Sequence, residues 1–301
     1  MSVKMMSVGE AEKKAKEYLE EDNEDSLFDL AEQLLSQNEV YGSADDFHNF
    51  SLNYSRMDAY VTACDILEKG LEQFPKSVDL LADFLQVGIN CKKSQECDMY
   101  YQRLLSIPMK RWTWRGFSFL IDYMLFLADD FDDQKLDEWK TKLIKITDDY
   151  QHYFTLDEDP YLCKADIYRY YNSRDEERNV LEEAVEKVPV CPKCSLRLAD
   201  MLFECGEYKE ALEVIDGCLY KSIQTQDSVN HGYLYYLSGL CKVVGVSKNK
   251  DYSNNEAIID IYHDFSIAQK SGLNYSSYLK VIQRQIDILE TKSGLSFDNY
   301  I

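Results

Sequence analysis

The feature that most constrains this chain is a spacing of 34 residues that recurs in two places. Ala63 and Cys97 stand 34 apart, as do Leu67 and Tyr101, and Gly70 and Leu104. Further on, the same interval of 34 separates Ala165 from Ala199, Tyr168 from Leu202, Leu181 from Ile215 and Ala184 from Cys218. Size class is kept loosely: small or medium positions stay so, and large ones mostly stay large. A fixed period of this length predicts stacked two-helix units rather than one globular core. Such arrays usually bind rather than catalyse.

Composition fits that reading. A chain of 301 residues can hold one large domain or two, but an array grows by adding neighbours. An apolar content of 45% is that of a folded protein. Only 5 prolines and 12 glycines occur, which permits long helices and few tight hairpins. The net charge of −21 speaks against nucleic acid as a ligand and against an anionic membrane surface, since both need clustered Lys and Arg. It is either a solubility charge on outward helix faces or an attraction for a basic partner. Met1 to Glu21 holds no apolar stretch of signal-peptide length, and the most apolar run, Phe117 to Ala128, is broken by Asp122. A cytoplasmic location is therefore expected, with the 9 cysteines as reduced thiols in small core positions.

Along the chain, Ala11 to Leu19 and Leu27 to Leu35 read as amphipathic helices, split by an acidic loop from Glu20 to Asp25. Ser43 followed by Asp46 is a capping signal. Phe47, Phe50 and Tyr54 then recur on one helix face. A helix over Ala59 to Gln73 follows, stopped by Pro75, and Ser77 caps the next one. Arg111 to Tyr150 predicts a longer pair, with Trp112, Trp114, Phe117, Leu120 and Phe126 on one helix and Trp139, Leu143 and Ile146 on the other. Tyr233 to Val244 reads as a helix with Gly239 in a small place, and Gly245 to Asn255 as a loop. Helices over Glu256 to Lys270 and Tyr275 to Lys292 close the array. Roughly five to seven helix pairs are expected on this logic.

These residues resemble the tetratricopeptide repeat family. Phe47, Phe50, Ser51, Tyr54, Ala63, Leu67, Gly70 and Pro75 match all of its positions by type. Tyr161, Ala165, Tyr168, Leu181, Ala184 and Pro189 match most of them, with Lys164 and Glu177 departing. Leu198, Ala199, Leu202, Gly206, Tyr208, Ala211, Ile215 and Cys218 form a further unit, whose segment Cys205 to Ala211 looks like the family's turn between helices. The resemblance implies an all-α, right-handed superhelical α-solenoid of stacked antiparallel helix pairs. It is expected as one domain over 1–301: an N-terminal helix pair (1–43), two repeat units (44–110), a divergent pair (111–157), two more units (158–225) and a divergent C-terminal unit with a capping helix (226–301).

The resemblance also implies that the first helix of each pair lines a concave surface. Carried over by position, the candidates are His48, Leu52, Ser55 and Arg56, then Ala82, Gln86, Ile89 and Asn90. In the later units they are Leu162, Asp166, Arg169 and Tyr170, followed by Leu196, Asp200, Phe203 and Glu204. Family members that grip an acidic C-terminal peptide carry a Lys and an Asn one turn apart in the first helix. The matching places here hold His48 and Leu52, Ala82 and Gln86, Leu162 and Asp166, and Leu196 and Asp200.

Chemistry-bearing motifs are few. Cys191-Pro192-Lys193-Cys194 can ligate zinc or act as a redox pair, with Cys163 and Cys205 as further ligands if the fold gathers them. It can equally begin a repeat, with Pro192 in the first helical turn. The acidic loop Asp129, Asp130, Asp132, Asp133 lacks the glycine and the closing Glu of a calcium loop. The four histidines, His48, His152, His231 and His263, are scattered, and neither phosphate-cradling glycine motif occurs. The expectation is a non-enzymatic protein-interaction scaffold without a cofactor, holding a basic or apolar segment of another protein, with neither nucleic acid nor membrane as partner. A small zinc or redox protein using Cys191 and Cys194, and an acidic decoy or immunity protein for a basic partner, are the competing readings.

Overall fold

Helix boundaries in this protein are set by short-range signals. They are described in a computed structural model over residues 6–37, 39–91, 93–222, 228–271, 273 and 276–297. The chain falls into two compact units, residues 1–154 and 155–301. The first holds α1 (Val8–Glu20), α2 (Glu24–Leu35), α3 (Ala44–Ser55), α4 (Tyr60–Gln73), α5 (Val78–Cys91), α6 (Ser94–Leu105), α7 (Trp114–Ala128) and α8 (Asp133–Tyr153). The second holds α9 (Asp159–Tyr170), α10 (Arg174–Lys187), α11 (Pro192–Glu204), α12 (Tyr208–Ser222), α13 (Ser228–Asn249), α14 (Asn255–Lys270) and α15 (Ser276–Ser293). Among the described residues there is no strand.

Starts are capped as the sequence predicts. Ser43 Oγ accepts from Asp46 N at 3.1 Å while Asp46 Oδ2 accepts from Ser43 N at 2.7 Å, a reciprocal box that satisfies two otherwise orphaned donors. Ser7 and Glu10 repeat the device on α1. Ser77 Oγ accepts from Leu80 N at 3.4 Å. Asp132, from the acidic loop, accepts from Lys135 N at 2.9 Å and so begins α8.

The turns inside five of the pairs share one closure. Asp22, Asp58, Asn172, Gly206 and Lys250 all have positive φ. The residue after each donates its N–H to a carbonyl five residues back: Asn23 to Tyr18 (2.8 Å), Ala59 to Tyr54 (3.0 Å), Ser173 to Tyr168 (2.8 Å), Glu207 to Leu202 (2.9 Å) and Asp251 to Val246 (3.1 Å). This is the left-handed helix ending that satisfies terminal carbonyls. It reverses the chain within a few residues, so the two helices of a pair run antiparallel.

Packing follows the repeat. Each first helix meets its own partner and also the first helix of the next pair: α1 meets α3, α3 meets α5 and α5 meets α7 in the first unit. In the second, α9 meets α11 and α11 meets α13. First helices therefore form one layer of each unit. Every residue that carries the 34-residue spacing is buried, apart from half-buried Tyr168. Small positions set the approach. A Cβ on Gly70 would lie 2.8 Å from the Phe47 ring, and one on Gly239 would lie 2.5 Å from Phe265. Tyr54, fully buried, uses its hydroxyl to donate to the Leu27 carbonyl at 2.7 Å.

Four expectations need correction. The acidic run from Glu20 to Asp25 is not all loop, because Glu24 and Asp25 open α2, where carboxylates oppose the helix dipole favourably. Residues 245–249 are not loop but continue α13, whose apolar face extends through Val246. Trp112 does not share a helix with Trp114, Phe117, Leu120 and Phe126; it closes a short 3-10 turn over Met109–Arg111, and Thr113 caps α7, which begins at Trp114. Ala82 is fully buried, because α5 is covered by α3, α4, α6 and α7. Among the described residues the helices make seven pairs followed by α15, at the upper end of the expected number. Tyr275, expected to begin the last helix, lies outside the described residues.

Two glycines of α13 should respond oppositely to alanine. Gly239→Ala must displace the Phe265 ring and is expected to cost about 1–3 kcal/mol. Gly245 has nothing within 4 Å of an added Cβ, so Gly245→Ala should gain up to about 1 kcal/mol from helix propensity alone. The turns give a second pair. Lys250→Gly should stabilise by about 0.5–1 kcal/mol and Gly206→Ala should cost about 1–2 kcal/mol, since only glycine takes positive φ without penalty. Urea unfolding midpoints check all four.

Candidate partner-binding faces

The first-helix layer of residues 1–154 carries a polar network. His48 on α3 shares a hydrogen bond with Asp83 on α5, Nδ1 to Oδ2 at 2.7 Å. Arg115 on α7 reaches Asp79 with Nε at 3.3 Å and Asp83 with Nη1 at 3.9 Å. Thr113 donates to Asp79. Asp83 is only 5% exposed. Burial pushes its carboxyl above the usual range, and the His48 hydrogen bond and the His48 and Arg115 charges offset this only in part. Further along α5, Gln86 is half-buried and its Oε1 is buried without a hydrogen-bond donor. Exposed Asn90 donates to the Gln86 carbonyl at 3.4 Å. Leu52 is half-buried, and exposed Arg56 is the C-cap of α3. Ser55 and Ile89 are half-buried.

In residues 155–301 the layer is organised by one arginine. Arg197 on α11 places Nη1 2.5 Å from Asp166 on α9. Its Nε and Nη2 lie 2.8 and 2.6 Å from Glu177 Oε1 on α10. Arg169 reaches the same Glu177 oxygen with Nε at 3.2 Å. Glu177 is 4% exposed, so a buried carboxylate holds two guanidinium groups. The sequence pattern marks Glu177 only as a departure; its ion pairs are the reason for it.

Beside this network lies a cleft of about 360 Å³. Arg169, Lys193, Leu196, Arg197 and Asp200 enter it from α9 and α11, and Tyr233, Tyr236, Leu237 and Tyr278 from α13 and α15. Tyr278 packs edge-on to both Tyr233 and Tyr236, with ring centroids 5.3 and 5.2 Å apart. Burial raises the Tyr236 phenol. The carboxyl of Asp200 is raised by burial and then by Glu204, with Arg169 pulling the other way. The cations are already paired: Lys193 Nζ, for example, lies 3.2 Å from Asp159.

Other candidates scatter around this centre. Glu204 lines a neighbouring cleft of about 340 Å³ with Arg169, Asn172 and Arg174. Phe203 lines a separate cleft of about 460 Å³ beside Leu240, Val243 and Lys248. Leu162 is half-buried against the core, and exposed Tyr170 lies edge-on to Tyr171. The three tyrosines of the cleft are absent from the sequence candidates. The i, i+3 spacing of Tyr233 and Tyr236 put them on one face, but only the folded chain brings Tyr278 to them.

Cys191 and Cys194 sit at the start of α11, with Pro192 in the first turn. Both are buried. Cys191 Sγ lies 3.7 Å from the Ala184 carbonyl and Cys194 Sγ 3.7 Å from the Glu158 carbonyl. Burial is the main cause that pushes both thiols up, away from the thiolate that metal binding and nucleophilic attack require. Glu158, one repeat earlier, accepts from the Lys193 and Cys194 amides with Oε2 at 2.9 and 3.1 Å. Cys163 is half-buried, and exposed Cys205 has Arg174 Nη2 at 3.8 Å. Among the described residues no group of three or more His, Cys, Asp and Glu side chains is placed to hold a metal ion. None of the described helices is long and apolar enough to cross a membrane.

Truncating Arg197 leaves Glu177 buried with Arg169 alone. Arg197→Ala should therefore destabilise the fold by about 3 kcal/mol, whereas Arg197→Met combined with Glu177→Leu should return close to wild type. Chemical denaturation of the three proteins measures the difference.

No protein-family model matches the chain, and no curated protein matches it. Solved structures of tetratricopeptide repeat proteins are similar at low identity. A protein of Parabacteroides merdae aligns at 14% identity and TM-score 0.47, over 94% of this chain and 98% of its own. TTC0263 of Thermus thermophilus aligns at 14% identity and TM-score 0.46, over 62% and 94%. The TPR2AB domain of yeast Sti1, solved in complex with a pHSP90 ligand, aligns at 12% identity and TM-score 0.32, over 96% and 98%. The chain's own helix pairing, buried 34-residue period and shared turn closure identify each of its units as a stack of tetratricopeptide-like repeats.

Proposed function

We propose that the protein is a non-enzymatic interaction scaffold that holds a segment of another protein on the first-helix layer of residues 155–301. The observation that carries this reading is the cleft where Tyr233, Tyr236 and Tyr278 converge with Leu196 and Leu237. Tyrosine offers a large apolar face and a polar tip, which is why it is favoured at protein contacts. The arginines of the cleft already face carboxylates, so the cleft is no phosphate trap. Asp200 supplies the polar requirement. Its carboxyl is held up by burial and by Glu204, so an incoming cation stabilises its ionised form. The ligand is then an apolar or aromatic side chain against the tyrosines, with a Lys or Arg beside it against Asp200. A net charge of −21 steers such a segment in.

Selection of peptides from a random library on the full chain tests this. The enriched sequences should set a large apolar residue next to a basic one. Tyr236→Ala should weaken them about 30-fold, the effect of removing a contact worth about 2 kcal/mol. Affinity should fall as pH is lowered through the raised pKa of Asp200, because protonation removes the charge that faces the ligand's cation. Asp200→Asn should abolish that dependence. Peptides that bind Tyr233→Ala and Tyr236→Ala as well as wild type would place the partner elsewhere.

A further inference from the structure

A pair of thiols in residues 1–154 takes no part in the network around His48. Cys64 belongs to the first half of α4, and Cys91 is the last residue of α5. They are 27 residues apart in sequence, and their Sγ atoms are 3.1 Å apart. A disulfide needs about 2.05 Å, so the remaining gap of about 1 Å is within reach of small rotations of the two side chains. Cys64 is fully buried, and Cys91 is half-buried.

The surroundings hold the pair in place. Lys93, two residues beyond Cys91, bridges to α4 with Nζ 2.9 Å from Asp65 and 3.4 Å from Glu68. These ion pairs tie the segment that follows α5 to α4. A third thiol, Cys97 of α6, occupies the space that Gly88 leaves by lacking a Cβ. Cys91 Sγ also lies 3.7 Å from the Gly88 carbonyl. The two sulfurs therefore face each other from separate helices, with no side chain between them.

We propose that Cys64 and Cys91 form a reversible disulfide when the protein meets a peroxide. Cys91 reacts first, because it is the less buried member. Its sulfur attacks one oxygen of hydrogen peroxide, the O–O bond breaks, and Cys91 becomes a sulfenic acid as one water leaves. The Cys64 sulfur then attacks the Cys91 sulfur. The S–O bond breaks, and the hydroxyl departs with the Cys64 proton as a second water. Two thiols are oxidised and one peroxide is reduced to two waters. The bond ties the end of α5, which presents Gln86 and Asn90, to α4 and closes a loop in the unfolded chain.

The test is a thiol map of the full chain. Reduced protein is treated with hydrogen peroxide, the remaining thiols are alkylated, and the digest is read by mass spectrometry without reductant. Cys205→Ser serves as the background, to remove the exposed thiol that could link two molecules. The expected product is a cross-linked peptide pair containing Cys64 and Cys91, lighter by two hydrogens and lost on adding dithiothreitol. The oxidised protein should melt several degrees higher than the reduced one. Cys64→Ser should leave a Cys91 sulfenic acid that dimedone traps. If Cys64 and Cys91 are both alkylated after peroxide, or if Cys91 is found joined to Cys97, the proposal fails. The map of the Cys205→Ser protein decides this even if Cys64→Ser does not fold.

Discussion

The contact between a missing or minimal side chain on one helix and a ring on its neighbour governs how the layers of this protein form. Gly70 against Phe47 and Gly239 against Phe265 let helix backbones approach to a distance that any Cβ would forbid. At that distance large residues interlock across the pair. Each buried large side chain contributes about 1.5–3 kcal/mol relative to exposure. The left-handed turn residues then return the chain at the right place, and the first helices of each unit fall into one layer. The His48 network is a surface of that layer in residues 1–154, and the Arg197 network and the tyrosine cleft are surfaces of it in residues 155–301.

Much of this architecture is legible from single residues. Ser43 with Asp46, Pro75 and Pro192 mark boundaries through backbone chemistry that acts within one helical turn. The small positions at Ala63, Gly70, Ala165 and Gly239 are visible because size is a property of one residue. What stays hidden depends on pairs of residues brought together by folding. Glu177 reads as a violation of the repeat until Arg197 and Arg169 are seen to converge on it. That Phe117 and Leu120 are buried while Trp114 and Phe126 are exposed is hidden too, because hydrophobicity alone does not say on which side of α7 a residue stands. The turn at Lys250 is unreadable because a lysine gives no warning of positive φ. In Asn172 and Gly206 the same conformation is signalled by residue type.

The two units carry polar groups at some expense. Burial raises the carboxyl of Asp83 despite His48 and Arg115, and that of Asp264 on α14 despite Ser238 and Lys242, which donate to it at 2.6 and 2.7 Å. An apolar layer would be simpler to stabilise. What the charges supply is direction: each ion pair or hydrogen bond joins a particular rung to a particular neighbour. His48 with Asp83, and Arg197 with Asp166, join residues about one repeat apart. An apolar face could slide along its neighbour by a turn; these pairs cannot.

The Glu158 side chain makes that alignment a matter of arithmetic. Its carboxylate seats the first amides of α11 from a position just ahead of α9, so the beginning of one repeat is gauged against the beginning of the one before. An extra residue inside α9 or α10 would swing everything downstream by about 100° and carry the amides off their acceptor. The same residue placed in the bend around Asn172 would be absorbed. Length in this chain is free to drift at its corners and is metered along its rods.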